Sequence, residues 1–267
     1  MVKPLFILKL GGSIITYKNH PTGKLRLKRL LEIVQEIKQA KKRQDFNLIL
    51  VNGAGSYGHP IAKKYNTANG IKTKVQLRGF CEIKHIVNYL STQLNKIFLT
   101  AGLDVFSCQT SSLITQSKGK ISLFNMAPIK QLLNLGLIPT LSGDVVTDTS
   151  WGGSICSGDA IAPYLAKKIE TRKVLFASDV DGVFNQNPQK HKGAKLIPEI
   201  NRRNFPKIIG LAKESLCADV TGGMKGKLLK IERHYKKTKI MIFGGLRKNS
   251  VFEALSGKKL GTLIDLT

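Results

Sequence analysis

Acidic residues are scarce in this chain. Its 267 residues include 17 Asp and Glu against 43 Lys and Arg, a formal net charge of +26. Such an excess suits nucleic acid, whose phosphate contacts release counterions, or an enzyme whose positive field draws small anions. The basic residues are scattered in short groups such as Lys41-Lys42-Arg43, Lys63-Lys64 and Lys236-Lys237, with no tail and no interleaved aromatic signature. A solvated basic surface and anionic substrates are therefore expected, with no nucleic-acid partner. A nucleic-acid binder on an enzyme-like fold is the remote alternative.

Cysteine is sparse too. Cys81, Cys108, Cys156 and Cys217 are widely spaced, form no CxxC pair and accompany no histidine cluster. That argues against a disulfide framework and a metal-ligating set, and predicts buried free thiols. No run approaches the ~20 apolar residues of a membrane span. The opening Met1-Val2-Lys3-Pro4-Leu5 leads into a short strand-like run without a signal peptide's apolar region. A cytoplasmic protein with no membrane partner is expected. There is no internal repeat, low-complexity tract or long linker, and the length suits one or two domains.

What the chain does have is glycine, serine and aspartate at the ends of apolar runs. Strands are read at 6–10, 48–51, 105–108, 138–141, 173–177 and 239–243, with a last one near Leu263. Helical spacing is read from Leu27 to Ile37 with Lys and Arg on the outer face, and over 74–100 with Gly102 closing the helix. Further helices are read over 126–135, 159–169, about 205–217 and 224–236, with a short one before the last strand. Residues 145–155 read as a hairpin and 183–200 as a polar loop. Strands alternating with helices predict an α/β fold with a largely parallel sheet covered on both faces. In such folds ligands bind at the carboxyl ends of the strands. The ends at 11–13, 53–58, 143–144, 178–182 and 244–245 are expected to converge on one crevice.

Leu50-Val51-Asn52-Gly53-Ala54-Gly55-Ser56-Tyr57-Gly58-His59-Pro60 reads as a buried strand, a tight turn and a helix start. Such a turn offers backbone N–H groups to phosphate. Residues 53–58 spell GxGxxG, but the ribose-binding acid expected about 20 residues on is missing. Lys9-Leu10-Gly11-Gly12-Ser13 sets a lysine beside glycines without being a Walker A motif. Thr221-Gly222-Gly223-Met224-Lys225-Gly226-Lys227 is a second glycine-then-lysine element, opening a helix.

Taken in order, KLGGS, GAGSYGHP, SGD, SDVDGV and TGGMKGK resemble the motifs of the amino acid kinase superfamily. The histidine of GHP and Lys18 resemble its isopentenyl phosphate kinase branch, with fosfomycin kinases as the nearest competitor. The resemblance implies a three-layer αβα sandwich of one continuous domain. Residues 1–170 would form the phosphate-acceptor lobe and 171–267 the nucleotide lobe. It implies ATP, Mg²⁺, direct in-line phosphoryl transfer and a homodimer. Catalytic roles fall to Lys9, Lys18, His59, Asp159 and Lys227, with Asp159 orienting Lys9 and Lys227. ATP falls to Lys9, Leu10, Gly11, Gly12, Ser13, Gly55, Asp179, Gly223 and Lys227, and the acceptor phosphate to Ala54, His59 and Gly158. Asn52 and Ala54 depart from the residues usual in the family.

His20, His85, His191 and His234 are read as structural or solvated. Trp151, in the hairpin, is open between a lid, an interface and plain exposure. Phe80, Ile83, Ile86 and Val87 lie on the apolar face of the long helix. They read as core, although the resemblance implies that this helix borders the substrate's hydrocarbon tail.

Overall fold

The computed structural model describes residues 3–18, 20, 23–67, 70–188, 190–214, 223–235 and 238–267. Thr221 and Gly222 of the second glycine-lysine element, Cys217 and the Lys236-Lys237 pair lie outside the described residues.

Apolar runs buried on both faces make the central sheet. Edge to edge it runs through β12 (Glu199–Asn201), β14 (Thr262–Asp265), β13 (Lys239–Gly244), β9 (Lys173–Ser178), β1 (Leu5–Leu10), β2 (Asn47–Asn52), β6 (Ile138–Ser142) and β3 (Val105–Ser107). Neighbours are parallel throughout, except β13 against β14. Helices α2 (Leu27–Arg43), α4 (Lys74–Thr100) and α10 (Ser250–Leu255) cover one face. The other is covered by α6 (Ala127–Asn134), α7 (Gly158–Lys168), α8 (Phe205–Glu214) and α9 (Gly223–His234). The result is the expected three-layer αβα sandwich.

Strand alternation decides what reaches the site. Leu5 and Ile7 of β1 pack toward α7, while Phe6, Leu8 and Leu10 pack toward α2 and α4. Lys9 shares the first set's face, so its side chain rises toward the start of α7. Register then lines up the strand ends: Leu10 is level with Asn52 and Ala177, and Asn52 with Ser142. Each chain turns at that line. Short helices α1 (Gly12–Ile15) and α3 (Gly55–Lys64) start directly beyond β1 and β2.

Several elements differ from expectation. Residues 109–125, left without assignment from the sequence, hold α5 (Thr110–Leu113), β4 (Ile114–Ser117) and β5 (Lys120–Phe124). These two strands join β7 (Asp144–Asp148) and β8 (Gly152–Cys156), the expected hairpin, in a four-stranded sheet. Asp148 fastens its turn, accepting hydrogen bonds from the amides of Lys118, Gly119, Ser150 and Trp151. Trp151 is half-buried beside Gly70 and Gly119, a packing role. The polar stretch 183–200 is not all loop: β10 (Val183–Phe184) and β11 (Leu196–Ile197) pair, and β12 begins at Glu199. Cys108 and Cys156 are buried free thiols, but Cys81 is exposed. His234 is buried edge-on against Tyr164, and burial, then Lys167 and Arg233, lower its pKa to about 4.

Glu36 and Arg29 are the buried charged residues of the amphipathic α2; Arg29 is 6% exposed. Glu36 receives its guanidinium at 2.6 and 3.2 Å, and Arg29 Nε donates to the Gly245 carbonyl at 2.8 Å. Glu36 also accepts the amides of Asn249, Val251 and Phe252, which start α10. Gly244-Gly245 thus packs against α2 and, unlike the other strand ends, does not line the crevice. Removing one partner of a buried pair leaves the other charge uncompensated. Glu36→Ala is expected to cost about 3–5 kcal/mol of stability, read from urea unfolding; a loss below about 1 kcal/mol would match a surface pair instead.

Candidate active site

The strand ends open into one cavity of about 520 Å³. Its floor is two glycine turns in backbone contact. A Cβ on Gly12 would lie 2.5 Å from Gly55 Cα, and one on Gly53 would lie 2.7 Å from the Gly12 nitrogen. Gly55 has φ +52°, which a side chain rarely adopts. Ala54 has φ −79°, so the departure from glycine there carries no backbone strain. Thr16 ties the turns together: its hydroxyl donates to the Gly12 carbonyl at 2.8 Å and accepts the Ser56 amide at 3.1 Å. The leading amides of α1 and α3, those of Gly12, Ser13 and Gly55, precede the intrahelical ladder and flank this cradle. The hydroxyls of Ser56 and Ser157 line the same cavity, buried and without a hydrogen-bond partner. A ligand rich in acceptor oxygens meets these needs.

Above the cradle lie two lysines and a carboxylate. Asp159 Oδ1 accepts from Lys9 Nζ and from Lys227 Nζ, both at 2.8 Å. The three residues are 6–8% exposed. Burial pushes the Asp159 carboxyl up, but Lys227 and Lys9 outweigh it and hold it well below the usual range. Burial lowers the Lys227 ammonium, Asp159 opposes that, and Lys9 adds to it. The group therefore carries a net positive charge in a dry setting. Such fixed charge is worth far more to an anion than the same charge in water. Across the mouth, Lys18 forms an ion pair with Asp179, which also hydrogen-bonds to Ser13. Burial raises Asp179, but Lys18 and Ser13 bring it below the ordinary carboxylate value.

On the opposite side of the cradle the cavity turns apolar. Half-buried His59 of α3 stands beside Ala62, with Ile83 and Val87 of α4 and Ile155 of β8 across from it. Gly158, first residue of α7, is tightly surrounded: a Cβ would lie 3.2 Å from both the Asn52 carbonyl oxygen and Val51 Cγ1. The cavity thus joins a glycine cradle and a cationic cluster to an apolar chamber.

A profile of the amino acid kinase family matches residues 4–244. The isopentenyl phosphate kinase of Methanocaldococcus jannaschii is 36% identical over 270 residues, spanning 98% of this chain and 99% of that one. The chain belongs to the isopentenyl phosphate kinase branch of the amino acid kinase family. The isopentenyl phosphate kinase of Methanothermobacter thermautotrophicus is 34% identical to it over 84% of each chain. A solved isopentenyl phosphate kinase structure superposes on it with a TM-score of 0.81 at 30% identity, covering 97% of this chain and all of that one.

The cavity of this kinase brings together Lys9, Gly11, Gly12, Ser13, Lys18, Ala54, Gly55, His59, Gly158, Asp159, Asp179, Gly223 and Lys227, all named from the sequence. Leu10 is the exception: its side chain is fully buried toward α2 and only its backbone adjoins the site. Ile83 and Val87 line the chamber, whereas Phe80 and Ile86 pack behind it. Sequence reasoning missed Thr16, Ser157, and the stretch Phe184, Gln186, Asn187 and Pro188, which also line the cavity. Thr16 had a faint signal: a threonine four residues beyond Gly12 in a helical turn can bond back to its carbonyl. The others stood in segments read as polar loop or helix cap.

Proposed function

We propose that this protein transfers the γ-phosphoryl group of ATP to isopentenyl phosphate, giving isopentenyl diphosphate. The observation that carries this reading is the junction at His59: a phosphate cradle on one side, an apolar chamber on the other. An amino-acid acceptor would need a carboxylate for its ammonium group. The carboxylate lining the chamber, Asp144, is already paired with Lys84.

A phosphate acceptor is ionised before it reacts, so transfer needs no general base. What it needs is relief of the repulsion between two anions held in line. The amides of Gly12, Ser13 and Gly55 receive the β- and γ-phosphates, while Leu10 and Gly11, whose own amide donates to the Ala177 carbonyl at 2.9 Å, shape the backbone beneath them. Lys9 and Lys227, fixed by Asp159, neutralise charge on the transferring group. Lys18 leaves Asp179 for that group, and Asp179 and Gly223 border the nucleotide. Ala54, His59 and Gly158 hold the acceptor's own phosphate, and the Ser56 and Ser157 hydroxyls suit the same anions. A protonated His59 serves best, and an adjacent phosphate favours that form.

Mg²⁺ would be held by the triphosphate's oxygens and water, because among the described residues no cluster of three His, Cys, Asp or Glu side chains could hold a metal ion. When bound, it offsets charge on the β- and γ-oxygens. In this reading residues 1–170 carry the acceptor and 171–267 the nucleotide, on a sheet continuous from β1 to β9. A homodimer is part of it: edge strand β3 exposes Phe106, and Leu99 is exposed at the end of the adjoining α4. Among the described residues no helix is long and apolar enough to cross a membrane. The buried free thiols suit a reducing compartment, and the reading places the enzyme in the cytoplasm.

The test is a substrate panel of isopentenyl phosphate, fosfomycin and glutamate with ATP, followed by phosphorus NMR. Isopentenyl diphosphate is the expected product; turnover of fosfomycin alone would overturn the reading. His59→Ala is expected to raise KM for isopentenyl phosphate about 10–100-fold, with KM for ATP within about twofold. Loss confined to ATP would remove His59 from the acceptor site.

A further inference from the structure

A second ion pair stands at the acceptor chamber, outside the machinery described so far. Lys84 Nζ of α4 lies 2.5 Å from Asp144 Oδ2, at the start of β7. Asp144 is 4% exposed and lines the cavity. It follows Gly143, whose Cβ position would be 3.1 Å from the Gly158 nitrogen. A carboxylate is thus built into the wall beside the acceptor-phosphate anchor, where an anion must enter. Of the chamber's other walls, Ile83, Val87 and Ile155 carry no charge, and His59 serves the acceptor phosphate in this reading.

The ionisable groups facing Asp144 are few. Lys84 comes from α4, and its register partner on β8 is Cys156. The Cys156 thiol is pushed up to about 12, first by burial and then by Asp144, so it stays neutral. Asp159, three residues beyond Cys156, is already committed to Lys9 and Lys227. Compensation of Asp144 falls to Lys84 alone among these groups.

We infer that Lys84 is a positioning residue for the acceptor: by holding and neutralising Asp144, it keeps a negative charge from opposing the entering phosphate. This rests on the acceptor reading above. Without Lys84 the carboxylate would stand free in the chamber wall. Burial already raises the Asp144 pKa despite Lys84, and removing the lysine raises it further. Protonation then cancels the repulsion as pH falls.

The experiment compares wild type, Lys84→Met, Asp144→Asn and the double variant in steady-state kinetics between about pH 5.5 and 8.5. Variant-to-wild-type ratios at each pH cancel the acceptor's own titration. Lys84→Met is expected to raise KM for isopentenyl phosphate about tenfold at pH 8, with KM for ATP unchanged. The penalty shrinks toward pH 5.5, and the double variant recovers most of it. An unchanged KM for Lys84→Met would overturn the proposal. So would a pH-independent penalty, or a double variant as poor as the single one, since either marks a merely structural tie between α4 and β7. Calorimetric binding of inorganic phosphate to wild type and Lys84→Met makes the same comparison without turnover. Should wild type fail to phosphorylate isopentenyl phosphate, the substrate reading falls, while equal phosphate affinities would separately sink the role of Lys84.

Discussion

Lys227→Met is expected to lower kcat about 10²–10³-fold, the scale of losing one preorganised charge-stabilising group from a dry site. KM for isopentenyl phosphate should stay within about twofold, because the ammonium serves the transferring group rather than the resting acceptor. The geometry supports so large an effect. Lys227 is 8% exposed and is held at 2.8 Å by Asp159, so its charge needs no reorganisation when the phosphoryl group moves. Methionine keeps the bulk, which separates loss of charge from loss of packing. An unchanged kcat would remove Lys227 from the transition-state group.

Asp159→Asn gives a companion result with a definite sign. The carboxylate is what opposes burial at Lys227, and burial favours the neutral amine. Without it, Lys227 deprotonates at lower pH. The alkaline limb of kcat/KM for ATP, which reports the free enzyme, should move to lower pH than in wild type. A limb that stays in place would mean that Lys227 does not depend on Asp159 for its charge.

Much of this site was legible because its signals are local. A buried run that stops at Gly-Gly-Ser or Gly-Ala-Gly marks a strand end, and parallel strands bring such ends to one line. What was not legible depends on distant partners. Arg29 looks like any basic residue on an amphipathic helix; its burial follows from Glu36, seven positions on, and from Gly245 and Ser250, over 200 away. The Lys18–Asp179 and Lys84–Asp144 pairs likewise join segments that no spacing rule connects. Strand β4 escaped because Ile-Thr-Gln-Ser is short and polar after its first residue, and its Gln116 is buried by bonding Gly119 and, across the sheet, Ser154. Gly244-Gly245 carried the right signal but a different use, since Arg29 claims its carbonyl.

The cradle itself yields the second large effect. Gly55→Ala is expected to lower kcat/KM for ATP about 100-fold, the penalty of moving binding groups by about 1 Å. Two causes act together. At φ +52° a Cβ costs about 1–2 kcal/mol. The new methyl would also lie 2.3 Å from Thr16 Oγ1 and 2.9 Å from the Gly12 carbonyl oxygen. Thr16 is the tie between the two turns, so the methyl forces apart the amide groups that the triphosphate needs. Ala54→Gly, one residue earlier at φ −79°, should leave ATP kinetics within about twofold. Adding Thr16→Ala to Gly55→Ala separates the causes. It removes the side-chain clash but leaves the strained φ and the contact with the Gly12 backbone, so little recovery is expected. Full recovery in the double variant would show that the threonine, and not the meeting of the two backbones, sets the shape of the phosphate site.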